Sequence, residues 1–103
     1  MTTALLSLFP TEKGGRKRPV YSHYRPSFSF NTKMHFCGEI SFLNKEEVLP
    51  GETVVASVKL LPARHIRSNL KRGDAFAILE GNNIVGSGVI QSIEKNKKVA
   101  VLH

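Results

Sequence analysis

The sequence has a single cysteine, Cys37, so it can form no internal disulfide bond, which agrees with a reducing compartment. It has no apolar run near the roughly 20 residues that a membrane-spanning helix needs. Residues 2–9 are too short, and lack the positive lead-in, to be a signal peptide. The sequence also has no Gly-x-x-x-x-Gly-Lys-Ser/Thr loop, so nothing in it would cradle a nucleotide phosphate. We therefore expect a cytoplasmic protein that neither enters a membrane nor binds a nucleotide.

Helical periodicity is also missing, and short alternating or β-branched segments stand in its place. Turn chemistry separates them: Pro50-Gly51 suits a type II turn, and Gly81-Asn82-Asn83 suits a hairpin. The 103 residues predict one all-β domain, residues 1–103, with strands at the spacing of a sandwich or barrel. The expected strands are residues 4–9, 27–30, 34–43, 53–61, 75–80 and 84–93, with residues 99–102 as a candidate for a last short one.

The formal net charge of +7 is concentrated in two segments. Residues 13–25 carry five basic side chains and no acidic one, and residues 59–72 carry five more, again with no acid. The rest of the chain has five bases against eight acids, which is a net negative balance. Such a distribution favours an anionic partner. A solvated basic face without a partner is the alternative interpretation.

Three groups with catalytic or ligating chemistry share one face of an expected strand: His35, Cys37 and Glu39. They could present a thiolate beside a base, or part of a metal site. However, neighbours on one strand face lie about 7 Å apart, which is beyond hydrogen-bond reach. We interpret them as the polar outer face of the strand. The sequence predicts no catalytic residue, no metal, no cofactor and no enzymatic activity.

Aromatic and basic residues alternate at Tyr21, His23, Tyr24 and Arg25. This pattern could stack unpaired bases beside phosphate contacts. Alternatively, the tyrosines close the end of a barrel and only Arg25 faces solvent.

Three motifs occur in register along the chain and carry a family resemblance. They are Gly14-Gly15-Arg16 with Tyr24-Arg25-Pro26, then Leu49-Pro50-Gly51-Glu52, and finally Glu80-Gly81 followed by Val85-Gly86-Ser87-Gly88-Val89. Together, over residues 4–93, they resemble the C-terminal (third) β-barrel domain of bacterial elongation factor Tu. The resemblance implies a closed antiparallel barrel of about six strands, here as a stand-alone, non-enzymatic protein.

In that family the domain helps to hold the T-stem of aminoacyl-tRNA, packs on the nucleotide-binding domain and contacts the exchange factor Ts. By position, Arg16 matches the arginine that approaches the tRNA backbone, and Glu80 and Gly81 match the hairpin that approaches the same stem. The chain departs from the family pattern where Lys17 replaces histidine and where Ser27 replaces glutamine.

The resemblance therefore implies a module that binds a tRNA-like RNA stem through a basic loop and a glycine hairpin. Its expected RNA-binding residues are Arg16, Lys17, Arg18, Arg25, Glu80, Gly81 and Asn82 (a glycine in the family hairpin). A second basic loop, residues 61–74, is longer than its family counterpart and offers possible further contacts through Arg64, Arg67, Lys71 and Arg72. The alternative is a protein-interaction module that engages a translation factor, an exchange factor or a ribosomal partner.

Overall fold

The computed structural model describes residues 2–30, 35–61 and 70–93, and these residues form β-strands and one turn of 3₁₀ helix, joined by turns and loops. Six strands close a barrel in the order β1-β6-β4-β3-β7-β8, in which every neighbouring pair is antiparallel. The expected all-β class and closed six-stranded barrel are confirmed. The strands are β1 (Thr2–Leu8), β2 (Val20–Tyr21), β3 (Ser27–Ser29), β4 (Phe36–Phe42), β5 (Glu47–Val48), β6 (Thr53–Leu61), β7 (Ala75–Glu80) and β8 (Asn83–Ile93).

The barrel interior is filled by the side chains that the alternation places on the inner face. Each fully buried large aliphatic or aromatic side chain contributes roughly 1.5–3 kcal/mol relative to exposure. No polar or charged residue is buried among the described residues. The largest fully buried side chains are Phe28, Leu6, Ile40, Ile78 and Ile90 on the barrel strands, and Val48, which lies on a strand outside the barrel sheet.

Two glycines on inner positions allow two aromatic rings to meet in the core. A Cβ atom at Gly38 would lie 2.5 Å from Cε1 of Phe28, and one at Gly88 would lie 2.3 Å from Cζ of Phe76. The two phenylalanine rings pack with their centroids 5.5 Å apart. A larger residue at either glycine position would therefore displace a core aromatic ring.

A two-stranded ribbon outside the barrel, β2 with β5, was not predicted from the sequence. It pairs Val20 with Val48, and both side chains are buried. Each strand has only two residues, which is too short for alternation to show in the sequence. The candidate last strand at residues 99–102 lies outside the described residues. Among those described, no helix is long and apolar enough to cross a membrane.

Candidate functional site

A tightly hydrogen-bonded turn connects β1 to the basic segment. Thr11–Lys13 form one turn of 3₁₀ helix, and the N–H of Gly14, at a φ of 90°, donates to the Thr11 carbonyl at 3.1 Å. A Cβ atom at Gly15 would lie 2.0 Å from the Phe9 carbonyl oxygen, so only glycine fits there. The Thr11 hydroxyl donates to the carbonyl of Arg16 at 2.5 Å. The glycine pair thus sets a fixed path that delivers Arg16 to one end of the barrel.

Arg16, Tyr24 and Glu80 meet at that end and form what we call the Arg16–Tyr24–Glu80 cluster. Oε2 of Glu80 accepts hydrogen bonds from Nη1 of Arg16 and from the Tyr24 hydroxyl. Nε of Arg16 donates to the carbonyl of Arg18 at 3.1 Å, and its guanidinium carbon lies 5.4 Å from the centroid of the Tyr24 ring. This is within cation–π range. Three interactions of its own therefore hold the Arg16 side chain in one orientation.

Arg16 and Tyr24 keep their protonation states around neutral pH. Burial, followed by the hydrogen bond to the Glu80 carboxylate, raises the pKa of Tyr24 well above its ordinary value. Burial alone would lower the pKa of Arg16, but the interactions with Glu80 and Tyr24 together raise it. The guanidinium is thus charged and the phenol neutral. Because one carboxylate faces one guanidinium, the cluster as a whole carries almost no net charge.

The surplus positive charge of this loop belongs to Lys17 and Arg18. Both are exposed, and neither side chain makes a hydrogen bond or ion pair with any of the residues that the structure describes. They follow Arg16 directly in the chain, so the cluster anchors the segment that carries them. The solvated cations of Lys17 and Arg18 therefore lie next to the neutral Arg16–Tyr24–Glu80 cluster.

The Glu80–Asn83 hairpin borders the Arg16–Tyr24–Glu80 cluster. Glu80 pairs with Asn83 across the turn, and the two loop residues, Gly81 and Asn82, are exposed. Gly81 has a φ of 62°, the left-handed angle that a type II′ hairpin needs at its first loop position. The structure thus brings together the basic segment and the glycine hairpin, which lie about 64 residues apart in sequence.

Arg25 does not join the cluster, although the sequence grouped it with Arg16. Its side chain turns to Glu39 on β4, with Nη2 3.1 Å from Oε1. Nδ1 of His23 lies 2.7 Å from the other oxygen of Glu39, and the hydrogen bond from His23 and the charge of Arg25 lower the pKa of that carboxyl. The sequence predicts Glu39 on an outer face but gives no sign of these partners, because they belong to a segment distant in sequence that bridges to β4 through Tyr24 and Ile40.

The described residues of the second basic loop lie far from the Arg16–Tyr24–Glu80 cluster. Lys71 and Arg72 are exposed in the turn that leads into β7, whereas Glu80 ends that strand. With a rise of about 3.4 Å per residue, Ala75 and Glu80 stand about 17 Å apart, at opposite ends of the barrel. Arg64 and Arg67 lie outside the described residues.

The sequence left open whether Tyr21 and Tyr24 close the barrel end or are exposed to stack on bases, and the structure differs between the two. Tyr24 is partly buried and packs against the core, as expected for a side chain that closes the barrel end. Tyr21 is 57% exposed, and its hydroxyl donates to Glu47 at 3.0 Å. On β4, Cys37 is exposed on the outer face of the barrel. No group of three potential metal ligands occurs in the described parts of the chain.

A family model supports the resemblance seen in the sequence. The model described as the elongation factor Tu C-terminal domain matches residues 2–94. The match contains the whole described barrel, the cluster and the hairpin.

Proposed function

The chain belongs to the elongation factor Tu C-terminal domain family, and from this premise we propose that it binds a double-helical, tRNA-like RNA stem in the cytoplasm. The family is that of a translation-factor β-barrel domain that is itself non-catalytic. Residues 1–103 act as one binding module that uses no cofactor and no nucleotide.

The proposal rests on one observation. The solvated cations of Lys17 and Arg18 and the exposed glycine hairpin border the same Arg16–Tyr24–Glu80 cluster. Proteins recognise A-form RNA mainly through phosphates and 2′-hydroxyl groups across the shallow minor groove. Lys17 and Arg18 supply charge for phosphates, and Asn82 with the turn backbone offers small polar groups for hydroxyls. Stacking of splayed bases is not needed, which fits the partial burial of Tyr24.

Arg16 has a different role in this proposal from that of its two neighbours. Its guanidinium is shared with Glu80 and Tyr24, so it holds the loop in place and adds little net attraction for phosphates. Removal of Arg16 would leave the Glu80 carboxylate uncompensated beside the RNA. We therefore expect Arg16→Ala to weaken binding more by disorder and repulsion than by removal of one attractive charge.

The test is a titration of a short RNA hairpin, labelled for fluorescence anisotropy, at two salt concentrations. Lys17→Ala with Arg18→Ala should weaken binding about equally for all stem sequences and flatten the salt slope by about 0.7–0.9 for each phosphate that is no longer neutralised. The matched control is Lys71→Ala with Arg72→Ala, which removes the same charge at the other end of the barrel. Equal effects of the two double variants would contradict the assigned surface.

A protein partner is the competing outcome. In that case the wild-type chain would bind RNA weakly, and the two double variants would have nearly the same RNA affinity. A partner captured from lysate would stay bound after nuclease treatment. Loss of the captured material on nuclease treatment supports RNA instead.

A further inference from the structure

An open groove lies between β2 and the loop that follows β4. Its volume is about 680 Å³, which is within the range of pockets that bind ligands. Phe42 at the end of β4 is buried, whereas Tyr21 and Leu43, which also line the groove, are 57% and 44% exposed. Two large apolar side chains are therefore open to solvent beside the core. We call this feature the Tyr21–Leu43 groove.

Hydrogen bonds fix the walls of the groove. The N–H of Phe42 donates to the hydroxyl of Ser22 at 3.0 Å, which ties the end of β4 to the residue after β2. The Tyr21 hydroxyl donates to Glu47 at 3.0 Å, and this bond raises the pKa of Tyr21, so the phenol stays protonated. Because the protein itself holds these side chains, a partner would lose little affinity in ordering the groove.

The chain segment that borders the groove is acidic, in contrast to the rest of the molecule. Residues 45–52 hold three acidic side chains and one lysine, a local balance of −2 in a chain whose net charge is +7. Lys45 pairs with Glu52 at 3.0 Å, and the Leu49 N–H together with this lysine lowers the pKa of Glu52. Glu46 also lines the groove, is exposed, and makes no hydrogen bond or ion pair with any residue that the structure describes. The groove thus offers an available carboxylate beside apolar surface.

We propose that the Tyr21–Leu43 groove binds an extended peptide segment of another protein, one that carries an arginine or lysine next to an aliphatic residue. The aliphatic side chain of the partner contacts Leu43 and the edge of the core, and its cation pairs with Glu46. Arginine fits better than lysine, because its planar guanidinium can stack on the exposed Tyr21 ring while it donates to a carboxylate. This proposal does not depend on the proposed RNA binding.

Charge complementarity favours this partner over the others. RNA and acidic peptides carry charge of the same sign as residues 45–52, so they would be repelled from the groove. A two-fold contact between copies of the chain would bring the same carboxylates together. The basic loop of another copy also lacks the required aliphatic neighbour, because Val20 beyond Lys17 and Arg18 is buried.

The size of the groove predicts weak binding of a short peptide. Only a few side chains of the peptide can be covered, so we expect a dissociation constant of about 0.1–1 mM. Added salt should weaken the complex, because it screens the attraction between the cation of the peptide and Glu46. A longer partner that contacts further surface of the barrel would bind more tightly.

A nuclear magnetic resonance titration of the ¹⁵N-labelled protein tests the proposal with the peptide acetyl-Gly-Leu-Arg-Leu-Arg-Gly-amide, up to about 5 mM. The amide signals of Ser22 and of residues 43–46 should shift and saturate. A peptide with glutamate in place of both arginines, and one with glycine in place of both leucines, should each bind at least about tenfold more weakly. These two peptides require no change in the protein. The absence of saturable shifts, or equal binding of the glutamate peptide, would overturn the proposal.

Variants of the protein locate the site. Glu46→Lys should weaken binding of the arginine peptide at least about tenfold, and Glu12→Lys is its control, since it makes the same charge change on the 3₁₀ turn outside the groove. Leu43→Ser should weaken binding more than Val89→Ser, at a side chain that is 42% exposed on β8. Equal effects within either pair would contradict the assigned groove. The assigned partner would be wrong if an RNA hairpin, or a higher protein concentration alone, shifted the same signals.

Discussion

Replacement of Glu80 by glutamine separates two roles that the hairpin carboxylate could play in RNA binding. In the structure the carboxylate accepts from Arg16 and Tyr24, so its function is to hold the cluster together. Glutamine keeps an oxygen that can accept those hydrogen bonds but removes the negative charge. The Arg16 guanidinium would then be uncompensated, beside the cations of Lys17 and Arg18.

The expected change in RNA affinity on Glu80→Gln depends on how exposed the Glu80 side chain is. The Glu80 side chain is 36% exposed, so water screens its charge. Two like charges about 8 Å apart in water repel by about 0.5 kcal/mol. Relief of that repulsion against one or two phosphates gives a roughly two- to fivefold tighter complex with an RNA stem. The stability cost should stay below about 1 kcal/mol, as for other partly exposed ion pairs.

Fluorescence anisotropy with an RNA hairpin at low salt measures the change, and Glu39→Gln is the matched control. That variant removes the same charge from a carboxylate that pairs with Arg25 outside the cluster, so its affinity should change less. A Glu80→Gln protein that folds normally but binds RNA more weakly than the wild type would refute the reasoning. Such a result would mean that the carboxylate itself accepts a hydrogen bond from the RNA.

Three further outcomes follow from the sequence and the structure. Calorimetry should detect no binding of GTP, because the chain has no phosphate-cradling loop; micromolar binding would contradict this. Tyr24→Phe should lower the free energy of unfolding by about 1 kcal/mol in urea, since it removes a partly buried hydrogen bond, whereas Tyr21→Phe should cost much less. Gly88→Ala should cost about 1–3 kcal/mol by the same measurement, because the new methyl group meets the Phe76 ring at 2.3 Å; an unchanged midpoint would show that the ring can move away freely.

The barrel strands could be predicted because the alternation that indicates them is a local pattern in the sequence. Alternation such as Phe36-Cys37-Gly38-Glu39-Ile40 reports which side of a strand faces the core, whatever its neighbours are. The β2–β5 ribbon escaped prediction because two-residue strands carry no period. Its stability comes from the pairing of Val20 with Val48, which local sequence does not reveal.

The candidate site was predicted only in outline. The family resemblance placed Arg16 and Glu80 near the same RNA stem, but nothing in the sequence indicated that they bind each other. Charge counts also do not tell which end of the barrel a basic residue occupies. The sequence predicts Arg25 at the same RNA surface as Arg16 and offers Lys71 only as a possible further contact. The structure places Arg25 against Glu39, and Lys71 at the opposite end of β7 from Glu80.

The most direct test of the RNA proposal is the salt dependence of binding between the wild-type protein and an RNA stem. If Lys17 and Arg18 each hold a phosphate, a plot of log affinity against log salt should have a slope of about −1.4 to −1.8 or steeper. The slope of the Lys17→Ala, Arg18→Ala protein should be flatter by about 1.4 to 1.8, and its fold should be unchanged by circular dichroism. A slope near zero for the wild type, or no detectable binding at low salt, would contradict the assignment of this barrel end to RNA.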